Sequence, residues 1–301
     1  MDETEWLTCA EPAAMLDRLG PQVSVRKLRL FGAACCRRAE GASQGALVKR
    51  GIDLAYRLAD GPDIGEDLSR FQSDLLFEAF SGDGEGWRTR ANMARWHMAL
   101  AVFNALQDSD RFVAGERRPV FEGYLQEHHD DILHFALSAA RTEAGPGGNP
   151  VFDRPDICGP DLTRVWIEAA QAIAYHSQPD DRPRLTLIQE LTASEGRQRL
   201  RDWETAVEVG RQFEAKQQTV LVRDIFGNPF RPVRFDMGWL TGAAVSLADA
   251  IYRGQAFERL PVLADALEAS GCDDPSILAH CRSGAPHVRG CWAVDLVLGR
   301  R

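Results

Sequence analysis

Apolar residues recur along this chain at spacings of three and four, while the strict alternation of a half-buried strand is nearly absent. Ser24 can cap a helix that carries Val25, Leu28, Phe31 and Cys35, which puts Cys35 on the apolar stripe and Cys36 near its edge. The same spacing predicts helices over 47–58, closed by Asp60-Gly61-Pro62, and over 66–80 through Leu68, Phe71, Leu75 and Phe80. Residues 87–107 are apolar on most faces and predict a central helix, and 120–141 continues the series. A Gly/Pro-rich break over 143–160, with Gly145-Pro146-Gly147-Gly148-Asn149-Pro150 and Gly159-Pro160, then interrupts it. Helical patterns resume over 162–176 and 197–222, stop through 224–232, and return over 239–252, 256–269, 275–282 and 288–298. In Asp274-Pro275 the acid can cap and the proline sits at the first helical position. The predicted fold class is all-α, a multi-helix, bundle-like array.

Composition narrows the function classes. At 301 residues and 45% hydrophobic, the chain can build a sizeable core. No apolar run approaches the roughly 20 residues that cross a bilayer, since the longest, Met98 to Leu106, is short and holds Asn104. The N-terminus, Met1-Asp2-Glu3-Thr4-Glu5, is acidic where a secretory signal is basic and then apolar. These features predict a cytoplasmic protein with no membrane contact. Seven cysteines, an odd count that includes adjacent Cys35 and Cys36, suit reduced thiols or a metal site better than a disulfide framework.

A net charge of −9 disfavours nucleic acid as a partner, because such binding depends on neutralising phosphates. The local exception is Arg26, Lys27, Arg29, Arg37 and Arg38 on the first long helix, read here as a solvated face. Lysine occurs only at 27, 49 and 216, so the basic charge is almost all arginine.

Both ends of the chain carry longer signatures. Near the start stand Glu5-Trp6-Leu7, Cys9, Arg26-Lys27-Leu28-Arg29-Leu30-Phe31 and Cys35-Cys36-Arg37-Arg38. Near the end stand the run from Arg223 to Pro232, then His280-Cys281-Arg282 and Pro286-His287-Val288-Arg289-Gly290-Cys291-Trp292. Together they resemble an uncharacterised bacterial family with many paralogues per genome. That resemblance brings no activity with it. It implies that segments 1–60 and 219–301 pack together as one module around a variable helical middle, 61–218.

Among chemistry-bearing groups, the sharpest is the C-terminal Cys/His set. Zinc takes four N or S ligands in a tetrahedron, and His287 and Cys291 stand four apart, which on a helix is one face. His280 and Cys281 can supply the other pair, with Cys272, Cys9 and Cys36 as alternates. No C-x-x-C knuckle accompanies them, so buried thiols and hydrogen-bonded histidines are the competing explanation.

A second group, Glu127-His128-His129-Asp130-Asp131-Ile132-Leu133-His134, puts Glu127, Asp130, Asp131 and His134 on one helical face. Asp131 and His134 have the spacing of a di-metal carboxylate motif. A second such motif is missing, for no acid precedes His97, His176 or His280 by three or four residues. Gly41-Ala42-Ser43-Gln44-Gly45 matches G-x-S-x-G, but a helix precedes it where a nucleophile elbow needs a strand, so an interhelical loop is predicted.

Finally, Phe226, Asn228, Phe230, Arg231 and Trp239 form a candidate interaction surface, since interface cores favour aromatics and arginine. The alternative is that Phe226 and Phe230 fasten this loop to the core. The expectation is a non-catalytic helical interaction or regulatory module with a protein partner and, as cofactor, none or one structural zinc. The alternatives are a metal-dependent hydrolase and a nucleic-acid-binding protein that uses the basic first helix.

Overall fold

The computed structural model describes residues 1–20, 23–42, 45–61, isolated positions between 68 and 106, and 194–300. The segments Glu127–His134 and 143–160 lie outside the described residues. Among those described, every regular element is helical. They are α1 (Glu3–Thr8), α2 (Pro12–Leu19), α3 (Val25–Ala39), α4 (Ala46–Asp60), α5 (Ser194–Phe226), α6 (Gly242–Gly254), α7 (Leu260–Ala269), α8 (Pro275–Cys281) and α9 (Trp292–Val297).

Local chemistry sets most of these boundaries. Asp2 and Glu5 form a reciprocal capping box at α1, and the Ser24 hydroxyl accepts from the Lys27 amide at α3. Thr241 caps α6 in the same way, while Asp274 caps α8 with Pro275 in its first turn. Gly41 lies in a short turn after α3 and Gly45 caps α4, so Gly41-Ala42-Ser43-Gln44-Gly45 joins two helices.

Two cores result. The first gathers Trp6, Met15, Leu30, Phe31 and Ile52 with Leu221, Val222 and Ile225 from the end of α5. Ala101, Val102 and Leu106, from the stretch predicted to be central, are buried in it. Cys35 and Cys36 are both fully buried there, so the stripe on α3 is wider than the spacing alone indicates. The second core holds Tyr252, Leu263, Leu267, Ile277 and Val294, together with Cys272, Cys281 and Cys291.

The two ends of the chain pack together. Helix α5 lies against α2 and α3 and also touches α9. Arg26 on α3 meets Asp295 on α9 through two hydrogen bonds, of 2.7 and 3.1 Å. Lys27 donates to the Ile225 carbonyl at 2.7 Å, and Arg38 grips Glu214 of α5 at 2.7 and 2.9 Å. Arg29 donates to the Leu58 carbonyl, and Arg37 pairs with Glu40 and Asp53. While Arg37 and Arg38 stay at the surface in ion pairs, Arg26, Lys27 and Arg29 are internal fasteners, in place of the solvated face the charge pattern predicted. Their donors meet carboxylates and carbonyls that sequence separation had hidden.

Candidate metal centre and the adjoining cleft

Four side chains of the C-terminal half converge at the seam between α5, α8 and α9. Asp224 stands in the last turn of α5, His280 in the last turn of α8, His287 in the loop after it, and Cys291 at the cap of α9. One ligand atom from each lies within 4.8 Å of every other. The His280 Nε2 is 3.2 Å from both the Cys291 Sγ and the Asp224 Oδ1, and the His287 Nδ1 is 2.6 Å from the same oxygen. The edge of a tetrahedron of zinc ligands is about 3.4 Å, so the two 3.2 Å spacings already approach it, while the 2.6 Å His287–Asp224 hydrogen bond would open on metal binding. The group can hold a metal ion.

Outer contacts orient the ligands. The second carboxylate oxygen of Asp224 accepts the Val288 amide at 2.9 Å, which turns Oδ1 towards the histidines. The Ser283 hydroxyl lies 3.1 Å from the His287 Nε2 and holds that ring by its far side. Metal sites are commonly braced in this way.

The electrostatics agree with that placement. Burial pushes the Asp224 carboxyl up, but hydrogen bonds from His280 and His287 outweigh it and hold the group below its ordinary value. Asp224 is only 3% exposed and therefore needs such compensation. Burial also drives the Cys291 thiol well above its usual range, against the opposing pull of the Val294 and Ala293 amides. A thiol in that state is no free nucleophile, whereas a bound cation deprotonates a ligating thiol outright.

Of the sequence candidates, His280, His287 and Cys291 come together, and Cys281 stays apart. On α8, Ile277 and Cys281 share the face turned to the second core, where burial lifts the Cys281 thiol to about 12. His280, one residue earlier, faces α5 instead. Cys272 is buried in the same core, Cys36 lies in the first, and Cys9 exchanges 3.4 Å contacts with Glu11. His287 and Cys291 do not share a helix. Gly290 has a φ of 98°, and α9 begins only at Trp292, so the pair meets through a folded loop.

Asp224 is the member of the group that sequence reasoning passed over. Its signal was present: an acid three residues after Leu221, on the buried side of α5 and in a helix's last turn, where the macrodipole disfavours negative charge.

Beside the centre opens a cleft of about 640 Å³, whose lining includes His280, Trp292, Trp6, Phe226, Lys27 and Arg231. Asn228 and Arg223 line it as well. Phe230 instead packs onto the first core, with the Arg18 guanidinium 4.7 Å above its ring. Trp239 borders a separate depression beside Phe235. The candidate interaction surface is thus divided: Phe226, Asn228 and Arg231 share the cleft, and Phe230 and Trp239 stand elsewhere.

No family model, curated protein or solved structure matches this chain. Its chemistry rests on the site alone.

Proposed function

We propose that this protein is a non-catalytic helical binding module whose C-terminal half is clamped by one structural zinc ion. The observation that carries the reading is the convergence of Asp224, His280, His287 and Cys291 within 4.8 Å. A carboxylate and a thiolate with two neutral imidazoles balance a divalent cation, which suits a buried position. Thiolate and imidazole favour zinc over magnesium or calcium, and four protein ligands make a closed, structural site. The ion would pin α8 and α9 against α5, and these helices carry Ser276, His280, Trp292 and Leu296 along the cleft. On this reading the metal supplies no reaction; it fixes one wall of a binding surface.

A second reading has an observation in its favour. Ser283 Oγ, His287 and Asp224 are joined through opposite nitrogens of one ring, at 3.1 and 2.6 Å, which is the order of a Ser-His-Asp triad. That chain leaves His280 and Cys291 without a role, and the adjoining cleft is lined by neither Ser283 nor His287. The zinc reading accounts for all four groups and makes Ser283 a brace.

Elemental analysis of the purified, untagged protein decides between them. About one zinc per chain is expected, with a marked fall in melting temperature on chelation and loss of the zinc in Asp224→Asn. A metal-free protein that melts identically with and without chelator overturns the reading, as does labelling of Ser283 by a fluorophosphonate.

A further inference from the structure

The depression beside Phe235 combines an aromatic corner with acids that the fold leaves unpaired. Phe235 and Trp239 meet edge to face, with ring centres 5.3 Å apart and planes at 85°. Both are only half buried where they pack on the second core. Met237, between them in sequence, is 74% exposed, and exposed Pro275 adds to the same lining. The depression they border has a volume of about 690 Å³ and is broadly open to solvent. Apolar surface gathered in one place and rimmed by polar groups marks an interaction site, where singly scattered hydrophobics do not.

The charge of the rim selects the occupant. Asp236, Asp273 and Asp274 line the depression, and none has a cation at ion-pair distance among the described residues. Asp236 accepts the Gly238 amide at 2.8 Å, and Asp274 accepts the Ser276 and Ile277 amides at 2.8 and 3.2 Å, each through Oδ1 alone. Their Oδ2 atoms, and both oxygens of exposed Asp273, accept no hydrogen bond among the described residues. Arg234, the one cation among the described lining residues, is exposed and pairs with none of them. Three carboxylates against one guanidinium leave an excess of two negative charges beside the rings.

We infer that this depression docks an arginine side chain carried by a basic segment of a partner protein, with the guanidinium on the Trp239 ring and paired to Asp273. A guanidinium stacks on an indole and meets a carboxylate through a planar fork of donors. A quaternary ammonium would stack equally well but has no N–H for the open carboxylate oxygens, and an inorganic cation would leave the rings unused. So open a depression encloses little of a small molecule, whereas a partner chain adds contacts on either side of its arginine. The net charge of −9 draws a basic segment to the protein, and the aromatic corner fixes where it stays. The inference rests on the binding-module reading above and places a partner contact outside the cleft.

The test is fluorescence anisotropy on the full-length protein with a fluorescein-labelled peptide, Gly-Ser-Arg-Gly-Arg-Ser-Gly. Controls carry lysine, trimethyllysine or glutamine at both arginines. Saturable binding is expected for the arginine peptide, at least threefold weaker for the lysine and trimethyllysine versions and absent for the glutamine version, with affinity falling as salt rises. Asp273→Arg should weaken binding at least tenfold, and because Asp273 is exposed this variant tests the depression without challenging the fold. Asp17→Arg makes the same change of net charge at an exposed position on α2 and should bind within twofold of the wild type. Met237→Ser should weaken binding about threefold, through lost apolar contact alone.

Equal losses in Asp17→Arg and Asp273→Arg overturn the inference, because the attraction would then belong to the whole protein. Tighter binding of the trimethyllysine peptide overturns it in favour of a quaternary ammonium, and equal binding of the lysine peptide reduces it to charge alone. Absence of peptide binding in a protein that retains zinc overturns this inference and leaves the scaffold reading. Arginine-selective binding by a protein that never holds zinc supports this inference and removes the scaffold reading.

Discussion

Tyr252 shows how much a single side chain can join. Its hydroxyl donates to the Asp60 Oδ1 at 2.5 Å and accepts from Arg26 at 2.8 Å, so it links the end of α4 to the start of α3 from a position on α6. The guanidinium groups of Arg300, Arg289 and Arg26 lie 4.1, 4.8 and 5.9 Å from its ring centre. Each can contribute about 0.5–2 kcal/mol, depending on how far it is desolvated. Burial, and then the bond to Asp60, raises the phenol to about 12. Because the unfolded phenol ionises near pH 10, this stabilisation is fully present below that pH and is lost as pH rises towards 12. Tyr252→Phe keeps the ring and removes the hydroxyl, at an expected cost of about 1.5 kcal/mol at pH 7. Urea melts of both proteins between pH 8 and 12 should show that difference narrowing above pH 10; a constant difference would mean that the phenol does not titrate with folding.

Elements after α5 are short, so their joints carry much of the architecture. Gly290 lies between two of the four candidate metal ligands with a φ of 98°, and a Cβ there would stand 2.9 Å from the Leu30 Cδ1 and 3.2 Å from its Cβ. Gly271 has a similar φ of 91° and open space around it. Both alanine substitutions incur backbone strain of about 1–3 kcal/mol, but only Gly290→Ala also pushes the loop off α3. Gly290→Ala should therefore lose more stability and weaken zinc binding, whereas Gly271→Ala should keep the metal. Matching losses in chemical denaturation, with metal retained in both, would show that the approach to Leu30 is unimportant.

The same joint shows what the sequence made legible. Helix α3 could be read because its cap, Ser24, and its stripe are local, and α8 because Asp274-Pro275 is local. The helix expected over 288–298 is shorter, since only tertiary packing selects the left-handed conformation at Gly290. Asp224 escaped notice because its partners stand 56 and 63 residues away, and no periodicity encodes which helix end meets which loop. The choice between His280 and Cys281 was open to sequence reasoning, because Ile277 and Cys281 mark the apolar face of α8.

At the scale of the molecule, polar contacts tie the two cores together. Asp295 is 1% exposed on α9; it receives two hydrogen bonds from Arg26 and has Lys27 at 3.9 Å, so one carboxylate serves both cations at the start of α3. Its removal leaves Arg26 with Asp60 and Tyr252, and leaves Lys27 with no carboxylate at ion-pair distance among the described residues. Asp295→Ala should cost about 3–5 kcal/mol, the usual consequence of stranding a buried partner. Arg26→Met combined with Asp295→Leu should recover most of that loss, because apolar groups of similar size can replace a buried pair nearly without cost. The cost should also fall unevenly. The first core keeps α2, α3, α4 and the end of α5 without Asp295, while the second loses its strongest polar tie to α3. Native-state hydrogen exchange reads this directly. Amides of residues 25–39 and 260–269 should open with similar free energies in the wild type, and in Asp295→Ala those of 260–269 should open first. Parallel weakening of both segments would instead mean that the hydrophobic contacts of α5 with α9 are enough to make the two cores one cooperative unit.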